Sequence, residues 1–175
     1  NITDKVMAFF YTCYKQTYLK RSGHEGYLTQ AFFERIAEQM ADNLLVIQAE
    51  KSGIPVASAL LFYDETGLYG RYWGTIEELD GLHFEVCYYQ GVDFAIEHTL
   101  PLFNPGTQGE HKILRGFEPI FCYSHHHLFH EGFHEAVNRF LIQEKPAIER
   151  YYEQAFAALP FNQGYKESIT TEDVN

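Results

Sequence analysis

The amino-acid sequence predicts an α+β domain, a mixed and mostly antiparallel sheet flanked by helices. Three observations lead there. Two stretches near the N-terminus space their apolar residues as helices do, short β-branched runs separated by turn residues follow, and from Leu82 the helical period returns. Helices and strands that segregate along a chain, rather than alternate, describe α+β.

Each element has its own justification. Residues 4–18 set Val6, Phe9, Phe10, Cys13 and Thr17 at helical spacing, with Thr3-Asp4 as the cap and Arg21-Ser22-Gly23 as the stop. Thr29 caps a second helix over 29–41, with Phe32, Phe33, Ile36, Ala37 and Met40 as its stripe. Residues 44–50 (LLVIQAE) read as a strand and Ser52-Gly53 as a turn. Residues 55–63 (PVASALLFY) form a second strand and Asp64-Glu65-Thr66-Gly67 a hairpin loop, so that 68–73 completes an antiparallel meander.

Residues 82–100 carry a helical period through Val86, Tyr89, Val92 or Ala95, and Ile96, with Gly91 costing about 1 kcal/mol against alanine. Residues 112–117 and 120–123 read as strands around Glu118-Pro119. A long amphipathic face then runs from Phe133 through Phe140, Leu141, Ile148 and Tyr152 to Leu159, and Pro146 is expected to bend or break that helix. The expected organisation is one domain over 1–161 with a flexible polar tail over 162–175. The chain starts at Asn1 amid structured text, so it is expected to be a fragment or C-terminal half of a longer protein.

Composition narrows the function classes. At 46% hydrophobic the 175-residue chain can bury a core, and 13 basic against 24 acidic residues give a formal net charge of -11. An acidic chain does not draw phosphate backbones by its global field. An anionic partner therefore needs a local basic pocket, and Lys112, Arg115 and Arg71 are the candidates. Cys13, Cys87 and Cys122 form no CxxC pair, which fits reduced thiols. The absence of an apolar run long enough for a membrane span, and of a signal peptide, fits a cytoplasmic protein.

The densest chemistry lies between Leu68 and Pro119. Arg71, Trp73, His83, Glu85, Tyr88, Tyr89, His111, Lys112 and Arg115 are interleaved there with apolar residues. Polar groups forced close to a core must be paired or used.

The segments YLTQAFFERIAEQM, PVASAL, LYGRYWG, LHFEVCYYQGVDFAIEH and GEHKILRGFEP resemble the FemAB-like proteins of peptidoglycan biosynthesis or recognition. The likeness covers about residues 5 to 160. It implies the GNAT-like (acyl-CoA N-acyltransferase) fold, in which the donor lies in a cleft beside the strand that precedes the central helix. The Q/R-x-x-G-x-G/A segment of GNAT acetyltransferases is not matched, since Gln90-Gly91 and Ala95 have another spacing. The segment from His111 to Gly116 resembles the Phe-Lys-x-x-Phe-Gly of aminoacyl-transferring Fem enzymes, with His and Arg in place of the two Phe.

The resemblance implies an acyl- or aminoacyl-transferase-like domain acting on an amine acceptor and linked to cell-wall precursors. Acyl-CoA or aminoacyl-tRNA would be the donor, tRNA a partner in the second case, and the N-terminal half of the full-length protein another. Glu85 and His83 are the candidate acid–base pair, and Tyr88 or Tyr89 the candidate proton donor. Lys112 and Arg115, with His111 and Arg71, are the candidates for binding the donor. In a strand Lys112 and Arg115 would point to opposite faces.

Each has a plainer reading beside it. Glu85 can simply be an acid favoured at a helix start, His83 a buried polar contact, the tyrosines amphipathic core, and Lys112 a solvated charge. Two further functions stay open: a non-catalytic binding module of the same fold, and a zinc hydrolase using His130-Glu131-Gly132-Phe133-His134, which fits HExxH. Gly132 weakens the helix that motif requires and no third ligand downstream is obvious apart from Glu144, Glu149 or Glu153, so no metal is expected.

Overall fold

A computed structural model describes residues 2–106 and 109–172. The chain divides into two units, Asn1–Thr107 and Gln108–Asn175. In the first, helices α1 (Asp4–Ser22) and α2 (Gln30–Gln39) precede strands β1 (Leu44–Lys51), β2 (Ile54–Asp64) and β3 (Gly67–Thr75). A central helix follows, with α-helical segments α3 (Leu82–Phe84) and α4 (Gln90–Glu97) on either side of a π-helical turn at Glu85–Tyr89. It leads to the short strand β4 (Phe103–Asn104).

The caps form as their residue types dictate. Thr3 Oγ1 accepts the Val6 N–H at 3.4 Å and Thr29 Oγ1 the Phe32 N–H at 3.3 Å. Gly23, at φ 71°, ends α1 with its N–H on the Leu19 carbonyl. The sheet has the order β1-β2-β3-β4. The first three strands form the antiparallel meander, and β4 joins parallel through Leu68↔Phe103 and Tyr69↔Asn104.

Strand β2 is covered on both faces, which is why its sequence is a nearly unbroken apolar run. On one face Leu60 joins Met7, Phe10 and Tyr14 of α1, Phe33 of α2 and Leu44. On the other, Ala59 and Leu61 pack with Leu68, Val86 and Ala95, against Trp73, Phe94 and Phe103. The pairing slips between Leu60 and Leu61, which face Tyr72 and Gly70, so Arg71 is the extra residue of a β-bulge. Bulges re-aim side chains and are common beside active sites.

Two glycines are demanded by close approach. A Cβ on Gly74 would fall inside the Cys13 carbonyl of α1, and one on Gly91 would lie 2.6 Å from the Phe103 ring. Gly91, read from sequence as a weak point of the helix, is what lets the central helix meet β4.

The second unit departs from expectation. Residues 112–117 and 120–123 are not strands. Glu110–Arg115 is a 3-10 helix bracketed by Gly109 and Gly116 at φ 108° and 85°, and 117–128 have no regular element. A short apolar run does not distinguish strand from tight helix by period, and here the positive-φ glycines close the segment into a turn. Helix α5 (Glu131–Ala157) runs on through Pro146, and α6 (Gln163–Glu172) follows. Within this unit Tyr152 stacks on Phe121 at 4.5 Å, the Tyr151 hydroxyl donates to Glu110 at 3.3 Å, and Gly116 lies against the Phe161 ring.

Close packing of α1 on β3 sets a measurable pair of outcomes. Gly74→Ala forces α1 off the strand and costs at least about 2 kcal/mol. Ser58, fully buried on β2, has a hydroxyl with no hydrogen-bond partner among the described residues. Removing a buried unsatisfied group relieves a penalty, so Ser58→Ala raises stability by up to about 1 kcal/mol. Urea unfolding of both variants checks the two signs.

Candidate functional site

The central helix starts from Gly81, at φ 79°, whose carbonyl accepts the Phe84 and Glu85 N–H groups at 3.0 Å. The π turn follows at once. Val86 and Gly91, five residues apart, both face the cluster of Leu68 and Phe103. In an α-helix neighbours on one face are three or four apart; the wider turn allows five. π turns of this kind occur frequently at functional sites.

The turn sorts the candidate residues. Tyr88 is buried and Tyr89 is 47% exposed. His83 is half-buried among rings: its centroid lies 5.2 Å from Trp73, 5.3 Å from Tyr88 and 5.5 Å from Phe84. Glu85 is exposed, and its Oε1 accepts a hydrogen bond from Gln90 Nε2 at 2.8 Å. Glu85, Tyr88 and Tyr89 thus lie on the π turn, and His83 just before it meets Trp73 near the end of β3.

That end of β3 is held from the opposite side of the sheet. Thr17 of α1 donates its hydroxyl to the Trp73 carbonyl at 2.8 Å. Trp73 then packs on the central-helix face, while its neighbour Tyr72 packs on the α1 face. Arg71 goes with Tyr72, its guanidinium 4.5 Å over that ring, and is exposed there. The structure therefore does not bring Arg71 to the His83 and Glu85 face. Cys13, on the buried face of α1, has its thiol pushed up to about 12, chiefly by burial. It is an inert packing group.

Lys112 and Arg115 lie on the 3-10 helix of the second unit, which corrects the strand geometry expected for them. Residues three apart eclipse one another in a 3-10 helix, so Lys112 and Arg115 share a face instead of opposing each other. Lys112 is buried, and Arg115 donates from Nη1 to the His111 carbonyl at 2.7 Å. Burial first, then the charges of Lys112 and Arg115, hold the His111 imidazole below its ordinary titration range. Two cations, Lys112 and Arg115, against the single acid Glu110 leave this short turn positive in an acidic chain.

The histidine-rich segment is arranged differently from a metal helix. His130 caps α5, its Nδ1 accepting the Phe133 N–H at 3.2 Å, and His126 Nε2 lies 2.8 Å from the Ser124 hydroxyl. His130 therefore stands at the helix boundary, its side chain engaged as the cap while its carbonyl accepts the His134 N–H at 2.9 Å. Among the described residues no three His, Cys, Asp or Glu side chains gather as metal ligands would.

A family model for FemAB-like peptidoglycan biosynthesis/recognition proteins matches residues 1–163. The chain belongs to the FemAB-like family. No curated protein and no solved structure matches it. Among the described residues of this FemAB-like chain, no helix is long and apolar enough to cross a membrane.

Sequence reasoning found the residues of the π turn but missed two relations. Gln90 bonds Glu85 from five residues away, a separation that helical side-chain rules do not pair. Trp73 and His83, on different elements, meet through the fold alone.

The His111 environment has a signed consequence. Its folded form binds a proton less readily than the unfolded chain does. Its contribution is therefore complete above the ordinary value of 6.5 and is lost as pH falls through the lowered folded value. The urea midpoint should fall more between about pH 7 and about pH 5 in the wild type than in His111→Gln. Equal falls would remove His111 from the acid sensitivity.

Proposed function

We propose that this FemAB-like chain carries an acyl- or aminoacyl-transferase site acting on an amine, with Glu85 as general base. The observation that carries the reading is the carboxylate of Glu85. It is exposed on a π turn, hydrogen-bonded to Gln90, and shares that turn with Tyr88, whose ring meets His83, itself against Trp73 of β3. The element order supports it too: a meander, a central helix, then a strand parallel to β3 is the order expected of a GNAT-like fold. The β3–β4 ladder comprises two residue pairs at the start of β3 and does not extend along the segment that carries Trp73.

The reaction is direct attack in a ternary complex. The acceptor arrives as an ammonium, and Glu85 takes its proton. The amine nitrogen forms a bond to the donor carbonyl carbon, and the carbon–oxygen bond of an aminoacyl ester, or the carbon–sulfur bond of a thioester, breaks. Tyr89, exposed on the same turn, gives a proton to the leaving group and regains one from the second proton that the nitrogen sheds as the amide forms. Tyr88 is committed to the core and His83 to the ring cluster that walls the turn. On the second unit, taken by itself, Lys112 and Arg115 beside His111 make an element suited to an anionic group, as charged hydrogen-bond donors. The departure at Gln90-Gly91 from the acetyltransferase spacing favours aminoacyl-tRNA over acyl-CoA, and a reaction in the cytoplasm fits a tRNA-borne donor.

The same fold without turnover would be a binding module for a cell-wall precursor. Two variants separate the readings once thermal shift against acetyl-CoA, aminoacyl-tRNA and nucleotide-linked sugar precursors has identified a ligand. Glu85→Gln keeps shape and removes the base, so turnover falls by about 10²-fold or more while the melting curve stays put. Lys112→Ala weakens binding of an anionic ligand to the second unit, and the attraction left to the remaining cations there fades with added salt. A Glu85→Gln enzyme at the wild-type rate would take Glu85 out of the mechanism.

A further inference from the structure

We infer that Gln90 is a positioning residue, fixing the Glu85 carboxylate in a single orientation, and that the π turn is the device that brings the two side chains together. This rests on the reading of Glu85 as the base.

Two independent features of the backbone and side chains coincide at this pair. The Gln90 N–H bonds the Glu85 carbonyl, closing the π turn, and Gln90 Nε2 bonds Glu85 Oε1 at 2.8 Å. In an α-helix a residue five positions on points well round the cylinder from the first. Only the inserted π turn lays Gln90 alongside Glu85. The turn itself is fixed by packing, since Val86 is 1% exposed and Gly91 lies against Phe103.

The bond is solvent-exposed, so its value is not stability; exposed polar pairs contribute little. What it removes is rotational freedom. A surface glutamate samples several staggered rotamers, whereas one tied at Oε1 presents Oε2 in a constant direction. A base displaced by about 1 Å can lose about 10²-fold in rate, so an orientation held in advance bears on turnover without touching substrate.

The test uses the full chain with Gln90→Met, similar in length but without a donor, and Gln90→Lys, which restores one. The first readout is the rotamer population of Glu85 from side-chain NMR couplings and cross-peaks. One rotamer is expected in the wild type, averaging in Gln90→Met, and recovery in Gln90→Lys. The second is turnover of an aminoacyl-tRNA, or of acetyl-CoA, with a free amine. In Gln90→Met kcat should drop about tenfold to a hundredfold, with the donor KM and the melting temperature unchanged. A Glu85 that averages in the wild type, or stays in one rotamer in Gln90→Met, overturns the inference without any substrate. So does a Gln90→Met enzyme at the full rate when Glu85→Gln is inactive. If Glu85→Gln is itself fully active, it is the base that fails, and the rotamer result still decides whether Gln90 orients it.

Discussion

The close crossing of α1 over β3 at Gly74 governs the first unit. A glycine there lets the Cys13 carbonyl approach where no side chain could stand. The Thr17 hydroxyl then bonds the Trp73 carbonyl beside it, so helix and strand are locked at a single point. Because residues alternate across a sheet, fixing Gly74 and Tyr72 toward α1 turns Trp73 toward the central helix. There it meets His83 edge-on. The packing of one face thus determines which rings stand on the other.

The central helix completes the arrangement under a second constraint. Gly91 must lie on Phe103 and Val86 must fill the same cluster, which ordinary α-helical spacing does not permit. The extra residue of the π turn resolves the conflict inside the core, and in doing so reshapes the solvent side. Glu85 and Gln90, the first residue of the turn and the one that closes it, become neighbours. A packing requirement and a carboxylate held in place are two sides of one local distortion.

Much of this was legible in the chain. Helix caps at Thr3 and Thr29, the meander and its turns, and the return to helical period at Leu82 follow from rules of capping and alternation that act within a few residues. What was hidden depends on contacts between distant segments. Gly91 looked like a flaw until Phe103 lay against it, and the π turn has no period of its own to read. The segment around Lys112 misled for another reason: six residues with apolar Ile113 and Leu114 suit a strand or a tight helix equally, and positive-φ glycines at 109 and 116 decided it. That difference matters chemically, because it turns Lys112 and Arg115 from opposite faces to one. Arg71 was grouped with those cations by charge alone, and the β-bulge sends it to the α1 face instead.

The central claim is that substrate meets the face of the sheet where Trp73 and the π turn lie. Trp73 is the sole tryptophan of the chain, so its emission reports on that face alone. Titrating the protein with an aminoacyl-tRNA, or with acetyl-CoA, while following tryptophan fluorescence is the most direct measurement. A saturable change in emission, with the same dissociation constant as calorimetry gives, is the result this account predicts. Binding by calorimetry that leaves the Trp73 emission unaltered would contradict it and put the ligand elsewhere on the protein.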